Sequence, residues 1–100
     1  MLQLYKENPI SISMINNQKL VNVQFCNVEM KLKYCQFKLF YNYLTNKSKK
    51  LSSDTTHVDL LLVRDNLNVT ITLEHFLQLC HGVQIVMFNK FGLKSNKYQT

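Results

Sequence analysis

The side chains best suited to nucleophilic chemistry are three cysteines and three histidines, and two of them, Cys80 and His81, are adjacent. A thiol nucleophile needs a base within hydrogen-bond reach, and that base must itself be oriented by a third group. Neighbouring residues on a helix point about 100° apart, and residues 72–91 are predicted below to be helical. Cys80 and His81 should therefore diverge, so the sequence predicts no catalytic residues and no enzyme.

Metal-binding residues are not predicted either. Two metal-binding histidines on a helix stand four residues apart, but the fourth residue after His75 is Leu79 and the fourth after His81 is Ile85. The cysteines lack the C-x-x-C spacing of zinc sites, and their odd number disfavours a disulfide framework. We expect them to be small, buried, reduced side chains, at positions Cys26, Cys35 and Cys80. No cofactor, metal or small-molecule substrate is expected.

Lysine side chains offer a different chemistry, which is contact with phosphate. The formal net charge is +6, from twelve basic and six acidic residues, and such a charge permits binding to nucleic acid or to an acidic protein. Eleven basic residues are lysines and the chain has eleven asparagines, a pairing that AT-rich coding also produces. The candidate nucleic-acid contacts are Lys31, Lys33, Lys38, Lys47, Lys49 and Lys50. Because the predicted sheet carries no interleaved aromatic residues for base stacking, nucleic-acid binding is the alternative function.

The elements that position these side chains follow a repeated pattern. Residues 21–44 superimpose on the stretch that begins at Val58 when the chain is shifted by thirty-nine positions. Apolar residues then coincide, namely Val21, Val23, Val28, Met30, Leu32 and Phe37 on Leu60, Leu62, Leu67, Val69, Ile71 and Phe76. Alternation of this kind predicts strands with one buried and one wet face. The turns coincide too, Cys26–Asn27 on Asp65–Asn66, so each unit is predicted to be a β-hairpin followed by a helix.

The second helix has the clearer boundaries. Thr72 is a predicted N-cap, and Glu74 stands in the first turn, where a carboxylate meets the positive end of the helix dipole. One apolar stripe continues through Phe76, Cys80, Val83, Met87 and Phe91, and Gly92 stands where a C-cap is expected. A single helix through about Phe91 is therefore favoured. The alternative ends the helix at Gly82 and makes residues 83–88 a strand.

These elements predict an α+β fold: a two-layer sandwich in which an antiparallel sheet of four to six strands carries two helices on one face, built from a duplicated strand-strand-helix unit. A chain of 100 residues forms one domain. Its predicted segments are N-terminal strands in 1–18 with a turn at Asn16–Asn17, the first unit in 19–44, a polar connecting loop in 45–57, the second unit in 58–92 and a frayed tail in 93–100.

The sequence also predicts a location. No apolar run approaches the ~18–20 residues that cross a bilayer, and the first residues lack the apolar core and cleavage site of a signal peptide. The cysteine pattern is typical of a reducing compartment. We therefore expect a small, basic, intracellular protein in the cytoplasm, without a membrane partner.

The first helix carries apolar side chains on two faces. One face, predicted to cover the sheet, comprises Phe37, Phe40, Tyr41 and Leu44. Leu39 and Tyr43 lie on the far side, where the equivalent positions of the second unit hold Gln78 and Gly82. Apolar and aromatic groups on an exposed face commonly mark a partner site. The alternative is that the N-terminal strands or the second helix bury this side.

The leading interpretation is therefore a non-enzymatic, small protein-binding module, an adaptor or modulator that acts alone or as a homodimer. Its predicted partner-binding residues are Leu39, Tyr41 and Tyr43. The partner would be another protein or a second copy of the chain, because small domains with surplus apolar surface often pair symmetrically.

Overall fold

The computed structural model describes residues 1–17, 19–62 and 67–92. These residues form six strands and two helices. The strands are β1 (Leu2–Glu7), β2 (Ile10–Ile15), β3 (Leu20–Phe25), β4 (Val28–Leu32), β5 (His57–Leu62) and β6 (Leu67–Thr72), and the helices are α1 (Tyr34–Ser48) and α2 (Leu73–Lys90). The predicted α+β class, with antiparallel strands and two helices, is confirmed.

Strands β1 to β4 form one antiparallel sheet in chain order. Sequence alternation decides its faces: Ile12 of β2 lies opposite Val23 of β3, which lies opposite Met30 of β4, and all three are buried. The next row carries polar side chains, with Gln24 of β3 opposite Glu29 of β4. Both of these are exposed. One face of this sheet therefore contributes to the core, as the period of two requires. The other face carries polar side chains, of which Ser13 and Asn22 are buried.

Two of the connections between these strands use left-handed backbone. Asn16 and Asn17 have φ angles of 55° and 59° in the predicted turn between β2 and β3, and asparagine tolerates this region well. Cys26 has a φ of 54° in the turn between β3 and β4. Left-handed backbone costs most residues about 1–2 kcal/mol, so Cys26 is the less ordinary occupant. The equivalent predicted turn at Asp65–Asn66 lies outside the described residues.

Helix α1 begins after Lys33, whose backbone N–H donates to the Gln36 side chain at 2.9 Å. It continues to Ser48, four residues into the segment predicted as a loop. Two hydroxyl groups bond back to the helix in its last turns: Thr45 donates to the Tyr41 carbonyl at 2.9 Å and Ser48 donates to the Thr45 carbonyl at 2.7 Å. The absence of glycine and proline from this segment lets the helix continue.

Helix α2 is a single helix, as favoured above, so residues 83–88 do not form a strand. The Thr72 side chain caps it by accepting from the His75 backbone N–H at 3.2 Å. Gly82 does not end the helix; it is a buried position where Tyr5 of β1 packs closely. A Cβ atom there would lie 2.6 Å from Tyr5 Cε2, which explains why a glycine occupies the middle of the helix.

Strands β5 and β6 pair with each other in a separate two-stranded sheet. Helix α1 packs on β3 and β4, whereas α2 packs on β1 and β2 and also on β5 and β6. The two helices contact each other, with the Tyr34 and Phe91 rings 4.6 Å apart between centroids. One apolar cluster joins both sheets and both helices, and it includes the fully buried rings of Phe25, Phe37 and Phe76.

The cysteines are less buried than their residue type predicts. Cys26 and Cys35 are exposed and Cys80 is half-buried, so the expectation of three buried thiols is wrong. Cys26 stands in a turn and Cys35 in the first turn of α1, away from that helix's buried residues Phe37, Phe40 and Leu44. Position in an element, rather than the apolar character of the side chain, decides exposure here.

Candidate functional site

An apolar groove lies between β4, α1 and β5. Its cavity has a volume of about 300 Å³. We call it the α1 groove and define it by Met30, Leu32, Gln36, Leu39, Phe40, Tyr43, Leu61 and Leu62. Alternation along β4 turns Met30 and Leu32 to the same side, and the helical period brings residues 36, 39, 40 and 43 onto one side of α1. Among the described lining residues, only Gln36 and Tyr43 carry polar side-chain groups.

The rim of the α1 groove exposes two large apolar side chains, one from each wall. Leu39 of α1 is 67% exposed and Leu61 of β5 is 49% exposed. The deeper lining residues Met30, Leu32 and Phe40 are buried. The groove therefore opens from an apolar floor to an apolar rim, which is the arrangement of a surface that gains free energy when another apolar group covers it.

Tyr43 connects the two walls. Its hydroxyl accepts a hydrogen bond from the backbone N–H of Leu61 at 2.9 Å, so α1 satisfies a donor on the outer edge of β5. Lys47, one helical turn further on, holds its Nζ 6.0 Å from the centroid of the Tyr43 ring, within the range of a cation–π interaction. Tyr43 is thus a half-buried structural contact as well as a lining residue.

Two of the three predicted partner-binding residues meet in this groove. Leu39 and Tyr43 line it, whereas Tyr41 is half-buried against the core and stands outside the lining. The strand that lies against this side of α1 is β5, whereas the sequence had suggested the N-terminal strands or the second helix. Leu61 carried a signal for this, since alternation along β5 places it with exposed His57 and Asp59 on the wet side. An apolar residue in a polar row is the feature that sequence reasoning missed.

The six candidate phosphate-binding lysines are spread along the molecule. Lys31 is exposed on β4 opposite Asn22, and Lys33 directly precedes α1. Lys38 and Lys47 stand on α1, while Lys49 and Lys50 follow it. Since a helix rises 1.5 Å per residue, about 24 Å separates the two ends marked by Lys33 and Lys49. Five of the six are exposed, the exception being half-buried Lys47.

The adjacent pair Cys80 and His81 is split by the helix. Half-buried Cys80 packs against the core, and burial raises the pKa of its thiol to about 11. His81 is exposed, and its ring lies edge-on to Tyr5 with the centroids 6.2 Å apart. Because this thiol holds its proton well above neutral pH, Cys80 is a poor nucleophile there.

A different cysteine does meet a histidine. Cys26 Sγ lies 3.7 Å from His75 Nδ1, across forty-nine positions of sequence. Cys26 also lines a polar cavity of about 420 Å³ beside the turn between β1 and β2. Among its other walls are Lys6, Ser11, Gln24 and Glu29. Nothing in the local sequence around Cys26 predicts this contact, because the tertiary structure alone brings the start of α2 beside the turn between β3 and β4.

The described residues show neither a metal-binding cluster nor a membrane-spanning helix. Within residues 1–17, 19–62 and 67–92, no three histidine, cysteine, aspartate or glutamate side chains come together as a metal site would require. In the same described part of the chain, neither helix combines the length and apolar character needed to cross a bilayer.

No protein-family model, curated protein or solved structure significantly matches this chain.

Proposed function

We propose that this chain is a non-enzymatic protein-binding module, an adaptor or modulator, and that the α1 groove is its partner-binding surface. One observation carries the proposal: an apolar cavity opens between two exposed leucines, Leu39 and Leu61. Full burial of a leucine side chain is worth about 1.5–3 kcal/mol. A partner that covers both leucines and fills the cavity gains binding free energy from each.

The first partner to test is a second copy of the chain. Leu39 stands at the rim of the α1 groove, so each copy carries an apolar knob directly beside an apolar hollow. In a twofold interface the same patch is used by both subunits, and a knob beside its hollow is self-complementary under that symmetry. Each copy has a formal charge of +6, so charge repulsion opposes this pairing and added salt should strengthen it.

The chain organisation is a further part of the proposal. The order strand, strand, helix occurs twice, as β3–β4–α1 and β5–β6–α2. Phe37 and Phe76, which are thirty-nine positions apart, are both fully buried on their helices. These features support a duplicated unit arranged as a two-layer sandwich, with only α1 using its outer side for a partner.

The test is molar mass in solution by light scattering for the wild type and for Leu39→Asp. A carboxylate at the rim should prevent burial of the groove without removing any core contact. We expect a wild-type mass of twice 11.8 kDa and a mass of 11.8 kDa for Leu39→Asp. Tyr43→Asp is a poorer probe, because it also removes the hydrogen bond to Leu61.

Leu77→Asp is the matched control, since Leu77 is an exposed leucine on α2 outside the groove. The Leu77→Asp variant should remain a dimer, and circular dichroism should show that Leu39→Asp and Leu77→Asp are both folded. A dimer that survives Leu39→Asp but is lost in Leu77→Asp would move the interface to α2 and overturn the assignment. A wild type that is monomeric at every concentration and salt would exclude the second copy as the partner.

Nucleic-acid binding is the second candidate, favoured by the exposure of Lys31, Lys33, Lys38, Lys49 and Lys50. Phosphate contacts lose affinity steeply as salt rises, whereas apolar self-association does not. Lys49→Glu with Lys50→Glu should weaken binding to a random-sequence duplex if phosphates are the target. If Lys49→Glu with Lys50→Glu leaves binding to the duplex unchanged and Leu39→Asp abolishes that binding, nucleic-acid binding through these lysines is excluded.

A further inference from the structure

We infer that Cys26 and His75 form a reactive-thiol site that exchanges with small-molecule disulfides of the glutathione disulfide class. The site is separate from the α1 groove and does not depend on the proposed function. Its basis is the 3.7 Å contact between Cys26 Sγ and His75 Nδ1 on an exposed surface. A thiol with a histidine nitrogen at hydrogen-bond distance has a base in place to accept its proton when sulfur attacks.

The surrounding hydrogen bonds tie the turn that carries Cys26 and the helix that carries His75 to a common element. The Cys26 backbone N–H donates to the Pro9 carbonyl at 3.3 Å, which ties the cysteine to the turn between β1 and β2. The Gln78 side chain donates to the Glu7 and Asn8 carbonyls at 2.7 and 2.8 Å, which ties α2 to that same turn. The Cys26 backbone and the helix that carries His75 are thus both tied to the turn between β1 and β2, which keeps these two parts of the chain next to each other.

The cavity beside Cys26 offers room for the second half of a disulfide. Its volume is about 420 Å³, and its walls combine the Lys6 amine, the Gln24 amide and the Glu29 carboxylate with the thiol. The Glu29 carboxylate is already engaged, because it accepts hydrogen bonds from Asn22 at 3.0 Å and Gln24 at 2.9 Å. A peptide-like disulfide, with amides and carboxylates of its own, matches these polar walls better than an apolar electrophile does.

The exchange balances without any further reagent. Cys26 Sγ attacks one sulfur of glutathione disulfide, an S–S bond forms to Cys26, and the S–S bond of the reagent breaks. The thiol proton passes to His75 Nδ1 and from the ring to the departing glutathione sulfur. The products are a protein–glutathione mixed disulfide and one reduced glutathione.

The other two cysteines are internal controls. Cys35 is exposed, as Cys26 is, and it lies in the first turn of α1, as His75 lies in the first turn of α2. Cys35 contacts no histidine in the described structure. Cys80 is half-buried. Trypsin places the three on different peptides, since cleavage follows Lys19, Lys31, Lys33, Lys38, Arg64 and Lys90. Mass spectrometry can therefore follow each thiol separately in one reaction.

The experiment incubates the whole folded chain with glutathione disulfide and measures the rate of mixed-disulfide formation at each cysteine. We expect Cys26 to react about tenfold or more faster than Cys35, since a positioned base commonly contributes more than that, and Cys80 to react slowest. His75→Gln should bring the Cys26 rate down to that of Cys35 and leave the Cys35 rate unchanged. His81→Gln, on the same helix, should change neither.

Unfolding in urea supplies a second measurement that needs no variant. The advantage of Cys26 over Cys35 should disappear there, because the imidazole is no longer beside the thiol. Equal rates at Cys26 and Cys35 in the folded protein would overturn the inference. So would a Cys26 rate that His75→Gln leaves unchanged in a variant shown to be folded by circular dichroism.

Discussion

Positions of α1 and α2 that coincide under the thirty-nine-residue shift have very different surroundings. Under the thirty-nine-residue shift, Leu39 of α1 corresponds to Gln78 of α2 and Tyr43 corresponds to Gly82. On α2 this side is closed: Gln78 bonds to the turn between β1 and β2, and Gly82 receives the ring of Tyr5. On α1 the side meets β5 through Tyr43 but leaves Leu39 exposed.

The difference comes from the strands that each helix meets rather than from the helices alone. Four strands precede α1, and the outermost of them, β1, folds against α2. Helix α1 has no such strand over its outer side in the described residues; only the edge of the separate hairpin β5–β6 reaches it. The absence of a side chain at Gly82 allows close packing with Tyr5 of β1, whereas on α1 Tyr43 reaches β5 only through its hydroxyl and Leu39 stays exposed beside the groove.

The largest predicted effects test whether the sheet-facing sides of the two helices are equivalent. Phe37→Ala and Phe76→Ala should each lower the free energy of unfolding by about 3–5 kcal/mol, because both rings are fully buried and truncation leaves a cavity. Urea denaturation measures both. Leu77→Ala is the exposed control, with a change within about 0.5 kcal/mol. A much smaller loss for Phe37→Ala than for Phe76→Ala would break the equivalence.

A medium effect tests the closed side of α2. Gly82→Ala should destabilise the protein by about 1–2 kcal/mol, because overpacking against Tyr5 outweighs the better helix propensity of alanine. With Tyr5→Ala in place, the same substitution should instead stabilise by up to about 1 kcal/mol, since the new methyl group meets no ring. A double-mutant cycle with Gly82→Ala and Tyr5→Ala, measured by urea denaturation, gives the coupling free energy between the two positions. If Gly82→Ala stabilises the protein when Tyr5 is present, Tyr5 does not pack closely on residue 82.

The smallest effect tests the open side of α1. Tyr43→Phe should cost about 1 kcal/mol, because the Leu61 N–H loses its acceptor while the ring stays in place. Hydrogen exchange of the Leu61 amide should accelerate in this variant. Tyr34→Phe is the control, as the Tyr34 hydroxyl makes no hydrogen bond within the described structure. Unchanged exchange at Leu61 would show that Tyr43 does not hold β5 against α1.

Much of the fold followed from sequence because its signals are local. Alternation predicted the faces of β4, the Asn16–Asn17 pair predicted a turn, and Thr72 with Glu74 predicted the start of α2. The end of α1 was missed, since the hydroxyls of Thr45 and Ser48 bond back to the helix in a segment whose polar composition is typical of a loop. The exposure of Cys26 was missed because its turn position outweighs its apolar character.

In the candidate sites, too, some features followed from local sequence patterns and others only from the tertiary structure. The sequence by itself determined that Leu39 and Tyr43 lie away from the sheet-facing side of α1, because the helical period alone assigns residues to faces. Only the tertiary structure decided that β5 would form the opposite wall with Leu61, and that His75 would lie beside Cys26. Both contacts join residues that are eighteen or forty-nine positions apart, and local patterns carry no information about which distant elements will pack together.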